Sequence, residues 1–470
     1  MIEKRDRYIA VKIFLTVFLI SAFFFKPNLE FTRFELLTKS LAHHGTTWID
    51  KIQQESGIHA LDFFIFDGRT YIEPFPGLSF IALASYLPYS VFLRPRLIQE
   101  FSLNAAAEFK VSQFVMALST VILFTALLIG VFFLMLRHSG CRRKKAIIFS
   151  VLLYFGSPFV FYSLNITNGQ DVLQASLLFI SFAFISMSKM RDYGLVFASG
   201  LLCGLSIFVN GVSVFLLPLF FCLLFLTKSW KNFVFWNGGA LISSLPLFIY
   251  NKISFGDLLI YSYKAKYAAT LVIDFPGAFN VARILLFSPM VGLLFFFPFV
   301  IMIVAMAKKN STNQVSRFIF FTTLFYIVCL CISVRSINRA IGFGDMWYLN
   351  QGGGGPRYLL PIIPFLLYVL ATSSLNMKKW QKVIAAALMF ICVIINMPGL
   401  FWTGGQPIFY NNLLIFCKNG FHGYMIDLVR DIFKTAGFRV DSLSLFAPLA
   451  VLILFLVWLW VEDRWLRQSF

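Results

Sequence analysis

Long apolar runs constrain the fold of this chain more than any other feature of its sequence. One of them extends from Ala146 to Leu164 and is interrupted mainly by Gly156, Ser157 and Pro158. It reaches the ~18 residues that cross a hydrocarbon core. Backbone amides find no water to bond in lipid, so each run is predicted to be helical. Only 13% of the 470 residues are charged, against ~25% in soluble domains, which excludes a soluble fold.

The runs predict an all-α polytopic membrane protein with about twelve transmembrane helices, in which residues 1–470 form a single integral membrane domain. The predicted spans are 8–25, 111–136, 146–163, 171–188, 193–209, 212–227, 233–250, 290–307, 318–334, 358–375, 383–402 and 444–461.

Basic residues cluster in alternate connections between these spans. The clusters are Lys4/Arg5/Arg7, Arg137 with Arg142 to Lys145, Lys189/Arg191, Lys228/Lys231, Lys308/Lys309/Arg317, Lys378/Lys379/Lys382 and Arg464/Arg467. The positive-inside rule makes that side cytoplasmic, together with both termini, and favours a bacterial inner membrane. Because the net charge of +19 is spread over these short clusters, no soluble basic domain is left to bind nucleic acid.

A further apolar stretch, Gly77 to Leu93, would invert every later loop if it crossed the membrane. It is therefore predicted to lie at the outer interface or to be re-entrant. The outer side then holds the long segments 26–110, 251–289, 335–357 and 403–441. Long loops in so apolar a protein usually carry function.

The first outer loop, 26–110, is the most polar part of the chain. Its opening, Leu29 to His44, has apolar residues at helical spacing, which predicts an amphipathic helix at the membrane surface. Glu30 and Arg33 are one turn apart there and could face a common cleft, although an ordinary surface pair is the simpler explanation. Further along, Pro74 and Pro76 would hold Glu73 just ahead of the interfacial helix.

The third outer loop ends in four consecutive glycines followed by Pro356, Arg357 and Tyr358. Glycines let backbone amides converge on an anion, and Arg357 could contact a lipid phosphate in bidentate fashion. A flexible turn ending in an interfacial Arg/Tyr anchor is the alternative. The five histidines show no metal-ligand spacing, so no metal site is predicted.

Several motifs resemble those of the GT-C glycosyltransferases, specifically the dolichyl-phosphate-mannose protein mannosyltransferase type and bacterial members similar to lipid A aminoarabinose transferases. The matching segments are Glu30-Phe31-Thr32-Arg33-Phe34 followed by Gly45, Tyr71-Ile72-Glu73-Pro74-Phe75-Pro76-Gly77, Tyr250-Asn251-Lys252-Ile253-Ser254-Phe255-Gly256, Leu286-Phe287-Ser288-Pro289-Met290-Val291-Gly292-Leu293, and Gly355-Pro356-Arg357-Tyr358-Leu359-Leu360-Pro361-Ile362-Ile363-Pro364-Phe365. All of them fall at or near the predicted outer face. The family pattern usually opens with Asp followed by an acidic residue, whereas this chain has Glu30 followed by Phe31.

The resemblance implies an enzyme that moves a sugar from a polyprenyl-phosphate donor to a lipid, glycan or protein acceptor at the outer face of the membrane. A carboxylate must take the proton of the acceptor hydroxyl, and cations must stabilise the departing phosphate. The implied base is Glu30 or, failing it, Asp62, and Glu73 would orient substrate or base. The implied substrate and phosphate ligands are Arg33, Arg357, Tyr358 and Asn251. This scheme requires no metal and leaves a divalent metal open.

Two other classes of protein remain as alternatives at this stage. A non-catalytic lipid or saccharide transporter or flippase would also need many spans and an outer cavity, but it predicts polar residues along a path through the bilayer, which the spans largely lack. A structural subunit of a membrane complex would leave Glu30, Asp62 and Glu73 idle.

Overall fold

The computed structural model describes residues 3–27, 32–59, 62–101, 104–188, 192–226, 229–267, 274–288, 292–302, 314–341, 357–373, 378–397 and 453. Glu30, the glycine run at 352–355, the predicted outer segment 403–441 and all of the predicted span 444–461 except residue 453 lie outside these residues.

Helices make up most of the described chain, as the apolar runs predict. The α-helices are α1 Lys4–Phe23, α2 Arg33–His44, α3 Asp50–Ser56, α4 Gly77–Pro88, α5 Arg94–Phe101, α6 Ala105–Ala117, α7 Leu123–His138, α8 Arg143–Phe155, α9 Phe159–Tyr162, α10 Gly169–Met187, α11 Tyr193–Val209, α12 Leu217–Leu226, α13 Trp230–Phe255, α14 Ser262–Tyr267, α15 Phe275–Phe287, α16 Leu293–Phe296, α17 Gln314–Ile341, α18 Ile363–Ser373 and α19 Lys379–Asn396. Two π-helical turns, Tyr89–Leu93 and Leu118–Ile122, and two 3₁₀ segments, Gly211–Leu216 and Arg357–Ile362, join neighbouring helices.

Six helices of the described chain are long and apolar enough to cross a membrane, and four shorter apolar helices accompany them. The six are Gly77–Glu100, Ala105–His138, Gly169–Met187, Trp230–Phe255, Gln314–Ser336 and Lys379–Asn396, and the shorter ones are Tyr193–Val209, Gly211–Leu226, Phe275–Phe287 and Arg357–Ser373. The predicted all-α membrane fold is confirmed, and the total of twelve spans stays a prediction.

The predicted span 146–163 is built differently from a single helix. α8 ends at Phe155, and the short α9 begins only at Phe159. Pro158 has no backbone N–H to donate and stands between them, so the helical hydrogen bonding is interrupted there. The hydroxyl of Ser157 donates to the carbonyl of Leu153 at 2.5 Å and satisfies one carbonyl of the last helical turn.

One end of the molecule gathers the predicted cytoplasmic clusters. Asp6, in the first turn of α1, accepts hydrogen bonds from Arg137 at 3.0 Å and from Arg143 at 2.8 Å. Asp6 belongs to the predicted N-terminal cytoplasmic segment, and Arg137 and Arg143 belong to one predicted cytoplasmic connection. At the opposite end, the backbone N–H of Lys26 donates to Leu164 at 2.8 Å, so the chain reaches the other side after one helix.

The helix that begins at Gly77 runs away from the end of the molecule that holds Asp6, which is predicted to be cytoplasmic. Ser85 donates to the carbonyl of Val115 at 3.0 Å, and Arg94, further along, contacts Glu108 at 3.0 Å. The helix Gly77–Glu100 therefore runs toward the start of the helix Ala105–His138. That second helix has 34 residues, is about 50 Å long and ends beside Asp6. The interfacial placement of Gly77 to Leu93 stays a prediction, because the helix Gly77–Glu100 is also long and apolar enough to span.

Two short strands form a hairpin in the first outer loop. β1, Phe63–Phe66, pairs antiparallel with β2, Arg69–Ile72. Asp67 and Gly68 both have positive φ, 50° and 72°, as a two-residue type I′ turn requires. The open end of the hairpin places Asp62 beside Glu73, whose backbone N–H donates to the carbonyl of Asp62 at 3.1 Å.

Candidate functional site

A buried turn ahead of α10 is the centre of the candidate site. Asn165 accepts the backbone N–H of Thr167 at 2.6 Å, and the backbone N–H of Gly169 donates to Ile166 at 3.0 Å. These bonds hold the carbonyl of Thr167 and the side chain of Asn168 in fixed positions at the start of the helix. Two arginines from distant parts of the sequence bind these two groups.

Arg33 is the first of the two arginines and the first residue of α2. It is 7% exposed and donates to the carbonyl of Thr167 at 2.8 Å. Its other terminal nitrogen donates to the carboxylate of Asp62 in an ion pair. The predicted phosphate ligand and the predicted alternative base are therefore neighbours. A charged pair so well shielded from water is strongly held, because breaking it leaves a buried charge uncompensated.

Arg357 approaches the same turn from the start of the 3₁₀ segment Arg357–Ile362. Its guanidinium donates to Asn168 at 2.9 Å and to the hydroxyl of Tyr358 at 2.5 Å. It also lies over the Tyr358 ring at 4.5 Å from the centroid. The carbonyl of Tyr358 accepts a hydrogen bond from Tyr326 at 2.7 Å. Arg33 and Arg357 thus meet on adjacent residues of one turn.

Asp171, in the first turn of α10, is a buried carboxylate that the sequence analysis did not single out. It is 1% exposed, and Asn210 donates to one of its oxygens at 3.0 Å. The other oxygen accepts no hydrogen bond from the part of the chain that the structure describes. The charges of Arg357 and Arg33 both act on it. An acidic residue just ahead of an apolar run was the available sequence signal, since such a residue suits the first turn of a helix.

Glu73 lies on the other side of the hairpin opening from the Arg33 pair. Its carboxylate forms an ion pair with Lys266 at 2.7 Å, and its carbonyl accepts a hydrogen bond from Ser262. Both partners belong to α14, in the predicted outer segment 251–289. Glu73 therefore connects the predicted outer segments 26–110 and 251–289. Its neighbour Asp62 forms the ion pair with Arg33.

Asn251, the remaining predicted ligand, has a local contact. It is buried in the last turn of α13 and donates to the carbonyl of Leu258 at 3.1 Å. This bond fixes the chain after Gly256, whose φ of 76° ends the helix. No hydrogen bond between described residues joins Asn251 to Arg33 or Arg357.

Glu35 follows Arg33 on α2 but is fully buried. Neither of its carboxyl oxygens accepts a hydrogen bond of good geometry from a described residue. Burial raises the pKa of Glu35 from 4.5 to about 8, and the charges of Arg33 and Lys39 offset only part of that rise. Glu35 is therefore mostly protonated at neutral pH, which suits a packing position better than a reaction with solvent-borne substrate.

The solved structures include one whose fold this chain shares. The crystal structure of ArnT from Cupriavidus metallidurans, described as bound to undecaprenyl phosphate, superimposes with a TM-score of 0.54 and 14% sequence identity, covering 96% of this chain and 76% of that one. This chain therefore shares the fold of that protein. No protein-family model matches the sequence, and no curated protein matches it either.

The shared fold confirms the fold that the motif resemblance implies. At 14% identity it assigns no role to any single residue, so the roles of Glu30, Asp62, Glu73, Arg33, Arg357, Tyr358 and Asn251 stay predictions. Within the described residues, no group of three or more His, Cys, Asp or Glu side chains could hold a metal ion. Metal independence likewise stays a prediction.

Proposed function

We propose that this protein is a glycosyltransferase that moves a sugar from a polyprenyl-phosphate donor to an acceptor at the outer face of the membrane. The convergence of Arg33 and Arg357 on one buried turn carries the proposal. The GT-C neighbour ArnT is described as bound to undecaprenyl phosphate, which is a polyprenyl phosphate. A site for such a donor needs fixed cations beside an opening to the lipid.

The two arginines hold the donor phosphate. A guanidinium offers parallel N–H donors that match two phosphate oxygens, and its charge offsets the negative charge that grows on the leaving phosphate. Arg357 is aimed by Asn168 and Tyr358, and Arg33 by Thr167. These contacts fix the directions of both guanidinium groups, and fixed cations stabilise the leaving phosphate without reorganising during the reaction.

Asp62 is the base supported by a contact in the described chain, and Glu30 remains the other candidate. In the structure Asp62 is paired with Arg33. The donor phosphate competes for Arg33 and releases the carboxylate, which then takes the proton of the acceptor hydroxyl. The hydroxyl oxygen bonds to the anomeric carbon as the bond from that carbon to the phosphate oxygen breaks. The electron pair leaves with the phosphate.

Two further carboxylates keep this arrangement in place. Asp171 balances the charge of Arg33 and Arg357 from below the turn. Glu73, paired with Lys266, orients the hairpin that carries Asp62. The scheme uses no metal. Its acceptor is a hydroxyl of a lipid, glycan or protein.

The test uses the purified full-length protein with a panel of undecaprenyl-phosphate sugars. We expect Arg357→Ala and Asp62→Asn each to lower the rate of sugar transfer about 100-fold or more, the usual effect of losing a cation at the leaving group or a general base. The matched control is Arg283→Ala, which removes an exposed arginine of α15 and should leave the rate unchanged.

The assignment of the site fails if both variants transfer sugar as fast as the unmodified protein. If no donor supports transfer but the protein moves labelled polyprenyl phosphates across a vesicle membrane, the transporter alternative is correct and the proposed enzyme is not.

A further inference from the structure

A cavity lies in the predicted first outer loop, beside the C-terminal half of α2. Arg33 is at the opposite end of that helix. The volume of the cavity is about 410 Å³, within the range of small-molecule sites in proteins. Helices α2, α3, α4, α5 and α6 surround it. The residues that the argument uses are Lys39, His43, Tyr86, Arg94, Ile98 and Glu108. Lys39 lies six residues beyond Arg33, ~9 Å along the helix, so the cavity is separate from the candidate active site.

One buried carboxylate serves two cations in this cavity. Glu108 accepts a hydrogen bond from Lys39 at 2.8 Å and another from Arg94 at 3.0 Å. The side chains of Lys39 and Glu108 are only 5% and 8% exposed. Glu55 also lines the cavity, but its side chain is 58% exposed and pairs with His44. Lys39, Arg94 and Glu108 together carry one net positive charge, and the side chain of Arg94 is 37% exposed. This excess favours an anion beside Arg94.

Arg94 retains donors that can serve an anion. Its Nε binds Glu108, and its two terminal nitrogens make no hydrogen bond within the described chain. The neighbouring wall is fixed, because His43 and the hydroxyl of Tyr86 are hydrogen-bonded at 2.8 Å. A phosphate in this cavity can accept two parallel bonds from Arg94, the geometry that a guanidinium favours.

An exposed apolar strip adjoins the cavity on the same helix. Val91, Phe92 and Leu93 are 63%, 69% and 54% exposed, directly before Arg94. Ile98 lines the cavity and is itself 39% exposed, so it connects the two surfaces. Arg94 therefore lies next to exposed apolar side chains on one helix, a combination that is typical of helices at a membrane interface.

We propose that this cavity binds the phosphate headgroup of an anionic phospholipid, whose acyl chains lie along the apolar strip Val91–Leu93. Arg94 and Lys39 supply the charge that recognises the phosphate, and Ile98 contacts the first carbons of the lipid. The proposal does not rest on the proposed transferase activity, since it uses other residues and another ligand.

The experiment measures lipid binding by native mass spectrometry of the full-length protein, taken from nanodiscs of phosphatidylcholine with added phosphatidylglycerol. We expect phosphatidylglycerol to be retained in preference to phosphatidylcholine, and Arg94→Gln to weaken its apparent affinity about tenfold, as expected for the loss of charge-assisted bonds. Lys39 stays paired with Glu108 in that variant, so the fold is preserved. Arg96→Gln, at an exposed position outside the cavity lining, is the matched control and should bind normally.

A second comparison separates a lipid from a free phosphate. Phe92→Ser should weaken binding of phosphatidylglycerol several-fold and leave binding of glycerol phosphate unchanged. Equal retention of the two phospholipids, or an equal loss in Arg94→Gln and Arg96→Gln, overturns the proposal. Glycerol phosphate that binds as tightly as the lipid also overturns it, because the apolar strip would then contribute nothing.

Discussion

Buried charges in the first outer loop mostly have partners, and Glu35 is the exception. Arg33 pairs with Asp62, and Lys39 pairs with Glu108, each across a long stretch of sequence. Such pairs cost desolvation energy and are retained when they fix a geometry or serve a ligand. Glu35 has no comparable cation within hydrogen-bonding distance, so it remains buried by holding its proton.

Replacing Glu35 with glutamine should make the protein less sensitive to pH. Folding raises the pKa of Glu35 from 4.5 to about 8, so the folded state binds more protons than the unfolded chain between these values. Stability is then fully present below about pH 4.5 and is lost as the pH rises toward 8. We expect the thermal unfolding midpoint of Glu35→Gln in detergent to exceed that of the unmodified protein at about pH 8 by several degrees.

The comparison at about pH 5 is the internal reference, since the unmodified carboxyl is protonated in the folded protein there. Glu100→Gln removes an exposed carboxylate of α5 and should leave the pH dependence unaltered. The buried-acid interpretation is contradicted if the unfolding midpoint changes by the same amount between the two pH values in the unmodified protein and in Glu35→Gln.

Sequence reasoning identified most of the residues that meet at the turn, but not how they meet. Arg33 was named for its spacing from Glu30, Arg357 for the glycine run before it, and Asp62 as the alternative base that the resemblance implies. The contacts of both arginines with Thr167 and Asn168 join distant segments, and no local pattern encodes such pairings. Asp171 was missed because a single acid at the start of a helix is ordinary in sequence and becomes unusual only when it is buried beside two arginines.

At the scale of elements, close helix packing depends on glycines of α11. Added to Gly204, a Cβ would press on the carbonyl of Ala240 in α13, with the carbonyl carbon at 2.8 Å. Gly200 meets the carbonyl of Trp236 one turn away in the same manner. This spacing of small residues lets two helices approach within backbone contact in a membrane. The Gly-x-x-x-Gly spacing is visible in the sequence, whereas its partner helix is not.

Gly204→Ala should separate α11 from α13 and destabilise the protein. Overpacking of this kind costs about 1–3 kcal/mol, because backbone atoms rather than a flexible side chain oppose the new methyl group. The measurement is the thermal unfolding midpoint in detergent. Gly238→Ala is the control, since a Cβ at Gly238 meets nothing within 4 Å; a loss as large as that of Gly204→Ala would show that helical glycines matter here for a reason other than contact.

At the scale of the whole molecule, the charge pattern and the contacts describe the same two ends. Asp6 binds Arg137 and Arg143 at one end, while Arg33 and Arg357 meet at the other. The alternation of basic clusters was sufficient to predict this grouping, since orientation depends on charge summed over short loops. The pairing of helices within the bundle depends on shape and could not be predicted in that way.

The predicted topology depends on whether the segment Gly77–Glu100 crosses the membrane. Cysteine labelling tests this. Arg96 and Arg142 are both exposed, and the predicted topology places them on opposite sides of the membrane. We expect Arg96→Cys, but not Arg142→Cys, to react with a membrane-impermeant maleimide in intact cells, and both to react after permeabilisation. The unmodified protein gives the background, because its described cysteines are buried or half-buried. If Gly77–Glu100 crosses the bilayer instead, every later loop changes sides and the labelling pattern reverses. Arg142→Cys then reacts in intact cells and Arg96→Cys does not. The basic clusters from Arg137 onward would lie on the outer side in that case, against the positive-inside rule.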